Sequence, residues 1–226
     1  MTTNVETLRD LFLALWQMQR SAWFSRDPQW KLSQRARDTY DRLVTPWPPI
    51  EEKRLTSLFT DREELSINFG SPDGNKLDVL YLPEVSRQRG FVPVLCFEWD
   101  TTRVPQRVSS KIMLVTLREC QYADRHSSDL CGIGFRLESG EGHHGFYHSQ
   151  LQRNLDFGPR ITCPDWLPQT QPSFPISANC PVTLVLCVLL SLYGVKDCTK
   201  FVNEQGIPAL QSALQRIDAW HSGAGT

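Results

Sequence analysis

The sequence has no surplus of charge: 24 lysines and arginines stand against 25 aspartates and glutamates over 226 residues. That balance excludes the simplest electrostatic case for a nucleic acid or an anionic membrane as partner, which needs a clustered basic excess. No Cys-x-x-Cys pair occurs among the seven cysteines, Cys96, Cys120, Cys131, Cys163, Cys180, Cys187 and Cys198. Their odd number and irregular gaps fit neither a zinc site nor a disulfide framework. Cys96 and Cys187 fall inside apolar runs, where cysteine acts as a small buried hydrophobe. Reduced structural thiols and a cytoplasmic location are therefore expected. The opening residues, MTTNVETLRD, lack the basic and then apolar stretches of a signal peptide. The longest apolar run, Val182–Leu190 with Leu192 and Tyr193 beyond it, falls short of the roughly 20 residues that span a bilayer and reads as a core helix. Gly-x-Ser-x-Gly elbows, P-loops and Gly-x-Gly-x-x-Gly fingerprints are also missing, so neither nucleophilic catalysis nor a nucleotide cofactor is indicated, and no cofactor is expected.

What is present divides one domain, 1–226, into three parts. Residues 1–60 read as helical. Thr3-x-x-Glu6 has capping-box spacing, and Leu8, Leu11, Phe12, Leu15, Met18 and Ala22 recur at helical period behind it. Asp27-Pro28 predicts the start of a second helix with Leu32, Ala36, Tyr40 and Leu43 on its buried face, stopped at Pro46-Trp47-Pro48-Pro49. A short third helix is expected from Ile50 to Phe59. Residues 63–162 are β-rich. Leu65, Ile67 and Phe69, then Leu77, Val79 and Tyr81, alternate around Ser71-Pro72-Asp73-Gly74-Asn75 and predict a hairpin. Phe91–Trp99 and Ile112–Leu117 are nearly continuous apolar runs, the mark of central strands covered on both faces. Leu130–Glu138 and Gly145–Leu151 predict a second hairpin, with His148 opposite Phe135. Residues 163–226 comprise a proline-rich connector, an apolar helix from Pro181 to Tyr193 ended by Gly194, and a last helix from Pro208 to Trp220. Helices from both termini around a β-rich centre predict an α+β fold, a mostly antiparallel sheet with helices packed on it.

Three constellations could carry chemistry. His143, His144 and His148 lie close in sequence, but His144 and His148 on a regular strand stand about 13 Å apart, too far for one zinc ion. The expected role is a polar hairpin tip plus one hydrogen-bonded sheet histidine. Asp78 on one strand and Glu98-Trp99-Asp100 at the end of another resemble the metal-binding pattern of restriction-endonuclease-like nucleases, in which an acidic residue precedes Glu-x-Lys. That resemblance implies carboxylates holding a divalent cation that activates water, with Glu63 or Glu64 as a further ligand. Asp100, however, stands where that pattern has lysine. The third is Trp16–Arg42, where Arg20, Arg26, Lys31, Arg35, Arg37 and Arg42 interleave with aromatics and with Asp27, Asp38 and Asp41. Arginine outnumbers lysine 18 to 6 across the chain, and guanidinium groups suit phosphate clamping and base stacking.

With each catalytic pattern broken at a needed position, the expectation is a non-enzymatic interaction subunit or adaptor in a cytoplasmic complex, its partner another protein. Trp23, Trp30, Arg35 and Trp47 are the expected partner-binding residues, because tryptophan and arginine are enriched at interface hot spots. The alternatives are a metal-dependent phosphodiesterase using Asp78, Glu98 and Asp100, and a nucleic-acid-binding accessory protein using the N-terminal helices.

Overall fold

A computed structural model describes residues 2–24, 32–60, 65–70, 78–85, 90–102, 107–117, 130–139, 147–152, 161–162, 173–176, 178 and 180–221. The apolar runs form the central strands β3 (Val92–Asp100) and β4 (Arg107–Leu117). They pair antiparallel over their length, from Val92 opposite Val115 to Asp100 opposite Arg107. Around them lie β1 (Ser66–Phe69), β2 (Leu80–Tyr81), β5 (Leu130–Glu138), β6 (His148–Gln152), β7 (Ile161–Thr162) and β8 (Ser173–Pro175). The sheet runs β1-β3-β4-β5-β6-β8, antiparallel at every step, with β2 also on β3 and β7 parallel to β5. The fold is α+β as expected, with helices on both faces of the sheet.

One face is covered by α1 (Thr2–Gln19), α3 (Glu52–Ser57), α4 (Pro181–Gln205) and α5 (Pro208–His221). Leu8, Leu11, Phe12 and Leu15 of α1 meet Leu184, Val185 and Val188 of α4 over Leu95, Phe97, Ile112 and Leu114 of the sheet. Phe12 sits among Phe59, Phe69 and Phe97, with ring centroids 4.8–6.2 Å away. The opposite face carries α2 (Gln34–Leu43) and a π-helical turn, Arg20–Phe24, over Val92, Val94, Met113 and Val115. Because that turn continues α1, the same helical rod serves both faces, passing around the β2 edge of the sheet. There the buried Gln19 accepts a hydrogen bond from the Tyr81 N–H (2.6 Å), which blunts an open strand edge. This wrap is why Ala22, in register with the α1 stripe, packs in the second core.

Several expectations are corrected. β1 and β2 do not form a hairpin with each other. Both pair with β3, Phe69 opposite Phe97 and Leu80 opposite Leu95, so they are two pieces of one edge strand separated by an excursion. The break falls at Gly70, whose φ of +77° favours glycine and whose Cβ would lie 2.4 Å from the Cys96 sulfur. The expected turn at 71–75 lies outside the described residues. α2 is N-capped by Ser33, not Asp27: the Ser33 hydroxyl accepts from the Ala36 N–H (3.2 Å) and donates to Glu84 (2.6 Å). Asp27 and Pro28 lie outside the described residues. α1 begins at Thr2, so Thr3 is inside the helix. His148 pairs with Glu138 rather than Phe135, because the connection between the strands is longer than the Ser139–Gly142 link predicts.

α4 is long and apolar enough to cross a membrane by length and composition, but half of its most apolar window is buried within the protein. Every residue from Pro181 to Leu189 is buried, the behaviour of a core helix. Gly194 interrupts it as expected (φ +77°, ψ 172°), and helix resumes to Gln205, a second half that the sequence reading omitted.

Candidate functional site

The three carboxylates singled out in the sequence do not gather. Asp78 precedes β2 and is ion-paired to Arg54 of α3, beside the first core. Glu98 lies on the opposite face, 3.6 Å from the Arg107 Nε. Asp100 accepts from the Thr102 N–H (2.9 Å) and hydroxyl (2.6 Å), an Asx-type turn after β3. Among the described residues no three His, Cys, Asp or Glu side chains are placed to hold one metal ion. His143, His144, Glu63 and Glu64 lie outside the described residues.

The expected partner-binding tryptophans stand in the core. Trp23 is stacked on Tyr40 (4.8 Å, 12° between planes), and Trp47 is fully buried with its carbonyl accepting from the Tyr81 hydroxyl (2.7 Å). Neither is available as a surface anchor, because the π-helical turn and the chain after α2 carry them under the second face. Arg35 is half-buried and donates to the Leu117 carbonyl (2.5 Å). Trp30 lies outside the described residues.

Among the described residues two features remain that could act on something outside the chain. The first is the half of the second face beyond α2. Strand register places Glu98, Ser109, Glu138 and His148 in one row, and Cys96, Lys111 and Arg136 in the next. The Glu138 carboxylate accepts from Arg136 (3.0 Å) and lies 3.2 Å from His148 Nε2, while Arg136 also donates to Gln150 (2.9 Å). His148 is therefore the partnered sheet histidine expected from the sequence. A cavity of about 20 Å³, bounded by Gly70, Cys96, Glu98 and Lys111, is the size of one water molecule. Burial pushes the Cys96 thiol up to about 12 despite the opposing charge of Lys111. A thiol held protonated is a poor nucleophile and metal ligand. The arrangement is a network of matched charges.

The second is a trough of about 1100 Å³ between α1 and the second half of α4. Met18 from α1, Leu32 before α2, Pro83 after β2, and Leu189, Tyr193 and Phe201 from α4 give it an apolar lining. Tyr193 is held by its hydroxyl to the Pro83 carbonyl (2.8 Å). Glu84 is fixed by Ser33 and by the Gly90 N–H, and the break at Gly194 sets the direction of the α4 wall. In sequence Met18 reads as one residue of the α1 stripe and Tyr193 as the end of the apolar helix. What could have pointed to the trough was the helical spacing of Asp197, Cys198 and Phe201 beyond the Gly194 break.

No protein-family model, curated protein or solved structure matches the chain. The fold places it in the α+β class, an antiparallel sheet with helices on both faces.

Proposed function

We propose that the chain is a non-enzymatic interaction subunit of a cytoplasmic complex, and that the α1/α4 trough is the surface it offers to a partner protein. The trough carries this reading. Its apolar lining runs along two helices set side by side, which leave room for a third element between them. The separation of Asp78 from Glu98, on opposite faces of the sheet and each paired to an arginine, supports a non-catalytic role.

The test compares the tagged full-length protein with Met18→Asp/Phe201→Asp in its own cells, quantifying co-purifying proteins by mass spectrometry. A specific set should fall at least tenfold with the double variant, while circular dichroism of the two proteins stays the same. An identical set from both, with the fold intact, overturns the proposal.

A further inference from the structure

We infer that the occupant of the trough is an amphipathic helix whose polar face is basic, an inference that rests on the interaction reading above. The argument begins with the charges around the apolar lining. Glu84, Asp197 and Glu204 border the trough, and the cation among the described bordering residues is Lys200. Lys200 lies 3.8 Å from Glu204 with both side chains largely exposed, a loose pair of small worth that a better-placed cation can displace. Among the described residues Glu84 accepts from uncharged donors, two from Ser33 and one from Gly90, and these contacts orient its charge without neutralising it. α4 also ends at the trough, where Gln205 lines it, and its last turn has no basic residue. The partial negative charge of that helix end therefore adds to the carboxylates.

The shape selects a helix. On α1 and the π-helical turn that continues it, the bordering residues Ala14, Gln17, Met18 and Ser21 share one helical face, and on α4 the border runs from Leu189 to Gln205. At a rise of about 1.5 Å per residue these walls are about 10 and 24 Å long, the latter before allowing for the bend at Gly194. A helix of three to four turns matches that length, with apolar residues at i, i+3, i+4 and i+7 on the floor and Lys or Arg at the rim. An acidic or neutral helix of the same apolar pattern would meet like charge or none.

The experiment displays a library of 16-residue helix-forming peptides with a fixed apolar face and randomised polar positions, selected on the full-length protein. Asp197→Lys/Glu204→Lys, both exposed positions, serves as counter-selection, and Met18→Asp/Phe201→Asp as background. The expected result is enrichment of Lys and Arg, with at least tenfold weaker binding of the selected peptides to the charge-reversed protein. Selected peptides with neutral or acidic polar faces, or with equal affinity for both proteins, overturn the basic-helix assignment and leave the trough as an interaction surface. No enrichment above the Met18→Asp/Phe201→Asp background overturns the helix and removes the trough itself. Uptake of a fluorescent fatty acid in place of any peptide also overturns it, assigning the trough to a small apolar ligand.

Discussion

The two faces of the sheet share the same strands but not the same cover. On the α1/α4 face, Leu95, Phe97, Trp99, Val108, Ile112, Leu114 and Leu137 are buried under helices from end to end. On the α2 face, burial under Val92, Val94, Met113 and Val115 gives way at Cys96 and Lys111 to Glu98, Ser109, Arg136 and Glu138. The strands record this change. β3 is continuously apolar from Val92 to Phe97 and then alternates as Glu98-Trp99-Asp100; β5 ends in Arg136-Leu137-Glu138. A run apolar at every residue has apolar cover on both sides, and one that begins to alternate has exchanged it on one side for polar neighbours, among which Ser109 and His148 stay buried. The point where the pattern changes marks the limit of α2.

If the faces differ as described, truncation on the fully covered side is the most damaging. Phe12→Ala removes a ring packed against three others and should cost about 3–5 kcal/mol, read by denaturant unfolding; a loss under 1 kcal/mol would mean that this core is not continuous. At the shared edge, Gln19→Ala leaves the Tyr81 N–H without its acceptor in a buried setting. It should cost about 1–3 kcal/mol and raise amide exchange at β2 first, so unchanged exchange there would show that the helix does not guard the edge. The thiols probe both faces, since Cys96 belongs to the α2 core and Cys198 to the other. Burial pushes each up to about 12 from an ordinary 9.0. Between those values the unfolded chain ionises and the folded one does not, so stability is retained below pH 9 and falls above it. The slope is about 1.4 kcal/mol per pH unit per thiol. Cys96→Ala/Cys198→Ala should lose that component of the alkaline decline, and an unaltered profile would place the thiols in contact with water. The smallest effect is expected at Ser110, a buried hydroxyl with no hydrogen-bond partner among the described residues, between Phe97 and Leu137. Ser110→Ala should leave stability unchanged or raise it by up to about 1 kcal/mol; a clear loss would reveal a partner for that oxygen.

Local patterns were legible where local physics governs. The α1 stripe through Leu15, the central strands, the β5–β6 pairing and the break at Gly194 follow from period, apolar runs and glycine at positive φ. The site was much less so. Asp78 and Glu98 are both acidic residues on or beside strands, but their arginine partners, Arg54 and Arg107, come from different elements on opposite faces. Trp23 and Trp47 carry no sequence mark separating a core aromatic from a surface anchor. The trough was not legible: Met18 belonged to the α1 stripe, while Phe201, 183 positions further on, lay in the half of α4 beyond Gly194 for which no helix was expected.

What the amino-acid order determined alone was the type of each segment and the side it buries, since those depend on backbone period and on the solvation of neighbouring residues. Tertiary structure decided that β1 and β2 become one interrupted edge strand, that α1 turns the edge to serve two cores, and that α4 bends beside α1 to leave an acidic trough. Each of these depends on which buried backbone donor finds which acceptor across long stretches of chain. That competition is settled only when all the elements pack together.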